Sequence, residues 1–192
     1  MLELVDMEIR RIDNTKAFLI KGKKESLIID PTNEQVIGQN KSRIVLFTTK
    51  KQLPVAVAER VTIAAGGEYE IGGVEILGIN AGERGVVYTV SIDNLTIGVL
   101  GELDEVLTDK RVERVGAVDV LLVDLVGKAE AKLVMGWAKK WGANYLLPMG
   151  RIDEPEVVKF LDVADQEGIT PVDVLKVERD ELPEGLEMAI LK

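Results

Sequence analysis

The chain has 192 residues, 46% hydrophobic and 30% charged, which is enough apolar material for a packed core and too much for wholesale disorder. Its formal net charge of -9 works against nucleic acid and anionic membrane surfaces as partners, because both would be repelled. With no histidine and no cysteine, it can form no disulfide, no imidazole or thiolate metal site and no Ser–His–Asp triad.

In chain order, Met1 to Asp6 alternates apolar and acidic residues and lacks the basic start and apolar run of a signal peptide. Apolar positions from Leu4 to Ile12 lead into Ala17-Phe18-Leu19-Ile20 and Ser26-Leu27-Ile28-Ile29, which flank Lys21-Gly22-Lys23-Lys24 as a hairpin would. Asp30-Pro31 ends it, and Asp30 is expected to bond nearby backbone N–H groups in the turn. Arg43 to Phe47 is an unbroken apolar run after its first residue, as in a strand covered on both faces. Pro54 to Arg60 is predicted to be a short helix. Hairpins are expected from Glu68 to Ile79, turning at Gly72-Gly73, and from Val86 to Val99, turning at Asp93-Asn94.

The second half changes character. Asp104 to Val115 has helical spacing with Asp104 as its cap, and Asp119 to Leu125 is a second doubly buried strand. Ala129 to Trp141 is the clearest helix: Leu133, Trp137 and Trp141 recur every four residues, Lys139 and Lys140 suit its negative end, and Gly142 stops it. Asn144 to Pro148 reads as a strand, Pro155 to Gly168 as a helix, and Val172–Val177 and Leu186–Leu191 as closing strands. No apolar run approaches the roughly 20 residues needed to cross a bilayer. These features predict a single α+β domain over residues 1–192, soluble and cytoplasmic, with stacked sheets covered by helices.

Several segments, in order, resemble the metallo-β-lactamase-fold superfamily, in particular its short lactonase-like branch. They are Asn14 to Ile20 with Leu27 to Pro31, Val45 to Thr48, Gly67 to Val74, Ile97 to Glu102, and Leu146 to Gly150. The resemblance implies a four-layer αββα sandwich with the site at one shared sheet edge. The family's metal motif, His-x-His-x-Asp-His, aligns with Thr49-Lys50-Lys51-Gln52-Leu53-Pro54. The late histidine position holds Gly150, the bridging aspartate position holds Glu102, and the middle histidine falls near Ala81-Gly82-Glu83. Zinc needs imidazole, thiolate and carboxylate donors at short range, so neither a metal site nor any other cofactor is expected here.

Lys50 and Lys51 are either solvated lysines or, at the start of a predicted helix, contacts for an anion. A lysine of this loop paired with Glu102 would supply the positive charge that the metals supply in the family. Arg84 and Arg151 lie on loops expected at the same mouth and are either surface charges or further anion contacts. Two functions remain open. One is a non-catalytic binding or scaffolding domain acting on a protein partner, with a homo-oligomer left open. The other is a metal-independent hydrolase or small-anion binder using Lys50, Lys51, Arg84 and Arg151, with Glu102 as general base.

Overall fold

The structure is a computed structural model that describes residues 6–12, 15–40, 42–49, 60–128 and 130–192. The first sheet contains β1 (Met7–Arg11), β2 (Phe18–Lys21), β3 (Ser26–Ile29), β4 (Ile44–Leu46), β5 (Val61–Ile63) and β12 (Leu175–Val177). The second contains β6 (Gly67–Ile71), β7 (Val74–Ala81), β8 (Gly85–Ile92), β9 (Leu95–Leu100), β10 (Val120–Val123), β11 (Tyr145–Pro148) and β13 (Glu187–Met188). The helices are α1 (Glu34–Gln39), α2 (Asp109–Val115), α3 (Ala131–Trp141) and α4 (Pro155–Val163).

Strand order in the first sheet is β12-β1-β2-β3-β4-β5, and in the second β13-β11-β10-β9-β8-β7-β6. β3 and β4 are parallel neighbours, as are β9, β10 and β11. Parallel strands with both faces covered explain why β4 and β10 are apolar at every position, and every residue of both is buried. The hairpins turn where the sequence predicts: Lys21 pairs with Ser26, Ile71 with Val74 and Ile92 with Leu95. Asp93 and Asn94 both have positive φ, 48° and 64°, as a two-residue hairpin turn of primed type requires.

One apolar core fills the space between the sheets, with Ile20, Ile29, Leu46, Tyr88, Val99 and Leu122 among its members. A second lies on the outer face of the second sheet, where Val112 of α2, Trp137 and Trp141 of α3 and Phe160 of α4 pack over Leu100, Leu121 and Leu146. Val36 of α1 covers Leu19 and Ile28 on the outer face of the first sheet. These clusters give the helix–sheet–sheet–helix layering the resemblance implies. On α3, Val134, Trp137, Ala138 and Trp141 make the buried stripe. The two indoles stack at 6.1 Å, and Trp141 Nε1 donates to Val112 O at 2.7 Å, tying α3 to α2.

Several expectations need correction. Asp104 does not cap α2, which starts at Asp109 after Thr108; its carboxylate turns instead to the β7–β8 turn. α3 begins at Ala131 and α4 ends at Val163, because Gln166 to Gly168 is exposed and has no apolar face to bury. The closing strands shrink to β12 and β13, which lie in different sheets, and an isolated bridge outside them pairs Val172 with Leu191. α1 was not foreseen: six residues are too few to show a period, although Asn33 caps it by accepting from Val36 N at 2.9 Å. The helix predicted over Pro54 to Arg60 lies, except for Arg60, outside the described residues.

Candidate functional site

β3, β4, β9, β10 and β11 end at one edge of the sandwich, the edge at which the resemblance locates the family's site. There they present Asp30, Thr48, Gly101, Asp124 and Gly150. Three sets of contacts close the edge from sheet to sheet. Val86 N of β8 donates to Thr48 O at 2.7 Å, and Thr49 bridges to Gly85. Gly101 presses against Thr48 so closely that a Cβ would collide with the threonine hydroxyl. Lys16 Nζ donates to both oxygens of Asp124, at 2.9 and 3.2 Å.

The first two sets depend on a clamp at the strand ends. Thr48 N donates to Asp30 Oδ1 at 2.7 Å and Thr48 Oγ1 to Asp30 Oδ2 at 2.5 Å. Asp30 is thus bonded to a strand end 18 residues away, a partner that its expected role in the local turn did not include. Its φ of 47° is left-handed, a conformation that a short polar side chain tolerates. The third set joins the β1–β2 connection to the end of β10. Asp124 is mostly buried and also accepts from Val126 N at 3.0 Å, whereas the Lys16 side chain is 42% exposed.

Gly150 stands where the resemblance would place the family's late histidine. A Cβ built there would lie 2.8 Å from both Glu154 Oε2 and Val157 Cγ2, so α4 leaves this position no room for any side chain without rearrangement. The recess that remains, lined by Lys16, Asp124, Gly150 and Glu154, measures about 10 Å³, room for at most one water. At the β7–β8 turn, backbone N–H groups are given to a carboxylate. Asp104 accepts from Glu83 N at 3.0 Å, Arg84 N at 3.2 Å and Gly85 N at 3.3 Å. Desolvation works to raise the Asp104 pKa, but these backbone donors outweigh it and hold the carboxyl below its ordinary value.

The sequence-derived candidates are spread around this edge. Lys50 and Lys51 lie outside the described residues, so their pairing with Glu102 does too. Glu102 follows β9 and is half-buried. Arg84 is exposed on the β7–β8 turn. Arg151, after β11, is exposed and held by Asp153 through two parallel bonds, Nε to Oδ1 and Nη2 to Oδ2, both 2.9 Å. The hydrogen bond with Asp153 raises the arginine's pKa and lowers the aspartate's.

Sequence reasoning missed Lys16, Asp124 and Arg11. Lys16 and Asp124 are 108 residues apart, with no local signal to join them. Arg11 did leave a signal: strand alternation puts it on the same face as Met7 and Ile9, yet it is charged. It is 7% exposed, and its enclosed Nε has no acceptor among the described residues.

Among the described residues, the donors at this edge do not make a zinc site. Asp124 is bonded to Lys16, Asp30 to Thr48, and Gly150 offers no side chain. Among the described residues, no three Asp or Glu side chains converge as a group able to hold a metal ion.

Residues 12–150 match the family described as the beta-lactamase superfamily domain, and the chain belongs to it. Solved structures agree on the fold. A protein from Thermotoga maritima, assigned as a Zn-dependent hydrolase of the metallo-beta-lactamase superfamily, aligns with a TM-score of 0.74. It is 20% identical, over 96% of this chain and 98% of that one. The metallo-beta-lactamase fold protein YhfI from Bacillus subtilis gives 0.63 at 11% identity, over 95% of each chain. Igni18, a metallo hydrolase from the archaeon Ignicoccus hospitalis, gives 0.62 at 13% identity, over 90% of this chain and 98% of that one. No curated protein matches the sequence. At these identities the likeness is one of fold, and function has to be argued from the edge itself. Among the described residues, no helix is long and apolar enough to cross a membrane.

Proposed function

We propose that this chain is a non-catalytic metallo-β-lactamase-like domain that works by binding or scaffolding, its metal centre replaced by contacts of its own side chains. The observation that carries the reading is the Lys16–Asp124 pair. An ammonium of the chain neutralises a mostly buried carboxylate at the edge where the family gathers carboxylates around cations. Removing metals while keeping a carboxylate would leave unpaired negative charge, and a lysine is the cheapest remedy available to the sequence. The crowding of Gly150 by Glu154 and Val157 supports the same reading, since it fills the position from which the family's last metal ligand projects.

The test is to incubate the purified chain with zinc, manganese or ferrous iron, dialyse it, and measure bound metal and turnover together. Suitable substrates are a phosphate monoester, a phosphate diester, a lactone and a β-lactam. The expected result is far less than one metal per chain and no metal-stimulated hydrolysis. Stoichiometric metal together with metal-dependent turnover would overturn the reading.

A further inference from the structure

Arg11 ends β1 and shares its face with Met7 and Ile9, which lie in the core between the sheets. Because β1 runs antiparallel to β2 and β2 antiparallel to β3, the end of β1 falls at the same edge as the ends of β3 and β4. Alternation thus carries a guanidinium onto an apolar face beside the former metal site.

A guanidinium keeps its charge at any ordinary pH, and an enclosed charged donor left without an acceptor costs more than a neutral one. Protein interiors rarely contain such a group unless a partner completes it. The charges acting on Arg11 come from the start of α4 and the turn before it: Glu154 and Asp153 attract it and Arg151 repels it. None of these carboxylates bonds to its Nε. Asp153 is already engaged by both Nε and Nη2 of Arg151. Burial depresses the Arg11 pKa, and Glu154 opposes that effect without completing the site. The edge of a guanidinium formed by Nε and the adjacent Nη presents two parallel N–H donors, the pattern that a carboxylate or phosphate accepts in bidentate fashion. In Arg11, no acceptor among the described residues takes the Nε half of that edge.

We propose that Arg11 anchors a site for a small oxyanion, a carboxylate or phosphate group, at the shared edge of the two sheets. The proposal deepens the reading of this edge as a binding site and rests on it. Glu154, whose charge acts on Arg11, lines a recess of about 10 Å³ that is too small for a whole metabolite, so only a headgroup is bound here. Glu154 lines that recess and would repel the headgroup, so its side chain sets the affinity.

The test uses the full chain, labelled with ¹⁵N and titrated at constant ionic strength with inorganic phosphate in one arm and acetate in the other, against chloride as reference. One arginine Nε–H resonance, the one missing from the spectrum of Arg11→Lys, is expected to shift saturably in at least one arm. The arm in which it shifts tells phosphate from carboxylate. Calorimetry of Arg11→Lys is expected to show affinity about tenfold weaker or worse, because lysine keeps the charge and loses the fork. Glu154→Gln is expected to bind more tightly than the parent chain. No arginine Nε–H shift in either arm would overturn the proposal, as would an unchanged affinity in Arg11→Lys. If Arg11→Lys fails to fold, the parent titration decides alone. Failure here would leave metal binding and turnover as they are, so it is distinguishable from failure of the reading beneath it.

Discussion

Replacing Leu122 by Ala removes three carbons from the middle of the second sheet. Leu122 is fully buried on β10, in register with Val99 on one side and Leu147 on the other, and all three belong to the core between the sheets. Transfer of the lost carbons accounts for about 2 kcal/mol at ~0.8 kcal/mol per methylene. Hydrogen-bonded strands on both sides prevent the site from collapsing, so the residual cavity adds to this and brings the total to about 3 kcal/mol. For a chain of this size each kcal/mol moves Tm by about 2–4 °C, so the midpoint is expected to fall by about 6–12 °C. Guanidinium unfolding followed by circular dichroism, with calorimetry alongside, measures both quantities. An unchanged m-value would show that the unfolded state is not responsible. A loss below about 0.5 kcal/mol would refute the placement of β10 at the centre, because only surface positions are that tolerant.

Trp141→Phe keeps most of the apolar contact but strands the Val112 carbonyl, and is expected to cost about 1–3 kcal/mol in denaturant melts; a neutral result would mean that water replaces the indole N–H. Lys16→Met and Asp124→Asn are expected to couple by about 0.5–1 kcal/mol in a double-mutant cycle at low salt, and by less at high salt, since Lys16 is well exposed; simple additivity would show that the pair contributes nothing. Asp104 has a folded pKa below its ordinary value of 3.8, so its contribution to stability is present above that pH and lost as pH falls through the folded pKa. Asp104→Asn is therefore expected to flatten the acid side of the stability–pH curve, and an acid side parallel to that of the parent would refute the role of the three N–H bonds.

Much of the framework was legible before any coordinates. Residues 44–46 and 120–123 are unbroken apolar runs, as strands covered on both faces are expected to be. Lys21 to Lys24, Gly72-Gly73 and Asp93-Asn94 mark hairpins because turn torsions select their residues locally. The stripe on α3 and the glycine at its end delimited that helix to within two residues at its start. Composition alone excludes imidazole and thiolate donors, since the chain has no histidine and no cysteine.

Tertiary structure decided what those segments bring together. Asp104 looked like a helix cap because an aspartate before a helical pattern usually is one. Only the packing of the β7–β8 turn against the end of β9 offered it three better donors. Asp30 found its partner on the next strand of the sheet, and Lys16 found Asp124 across two sheets. The pairing of Lys50 or Lys51 with Glu102 lies outside the described residues, and the ammonium described at this edge, at Asp124, comes from the loop after β1. Periodicity and turn chemistry report the torsions and the buried face of a single segment. Which charges meet depends on strand order, register and the approach of one sheet to the other, and these follow from the packing of the whole chain.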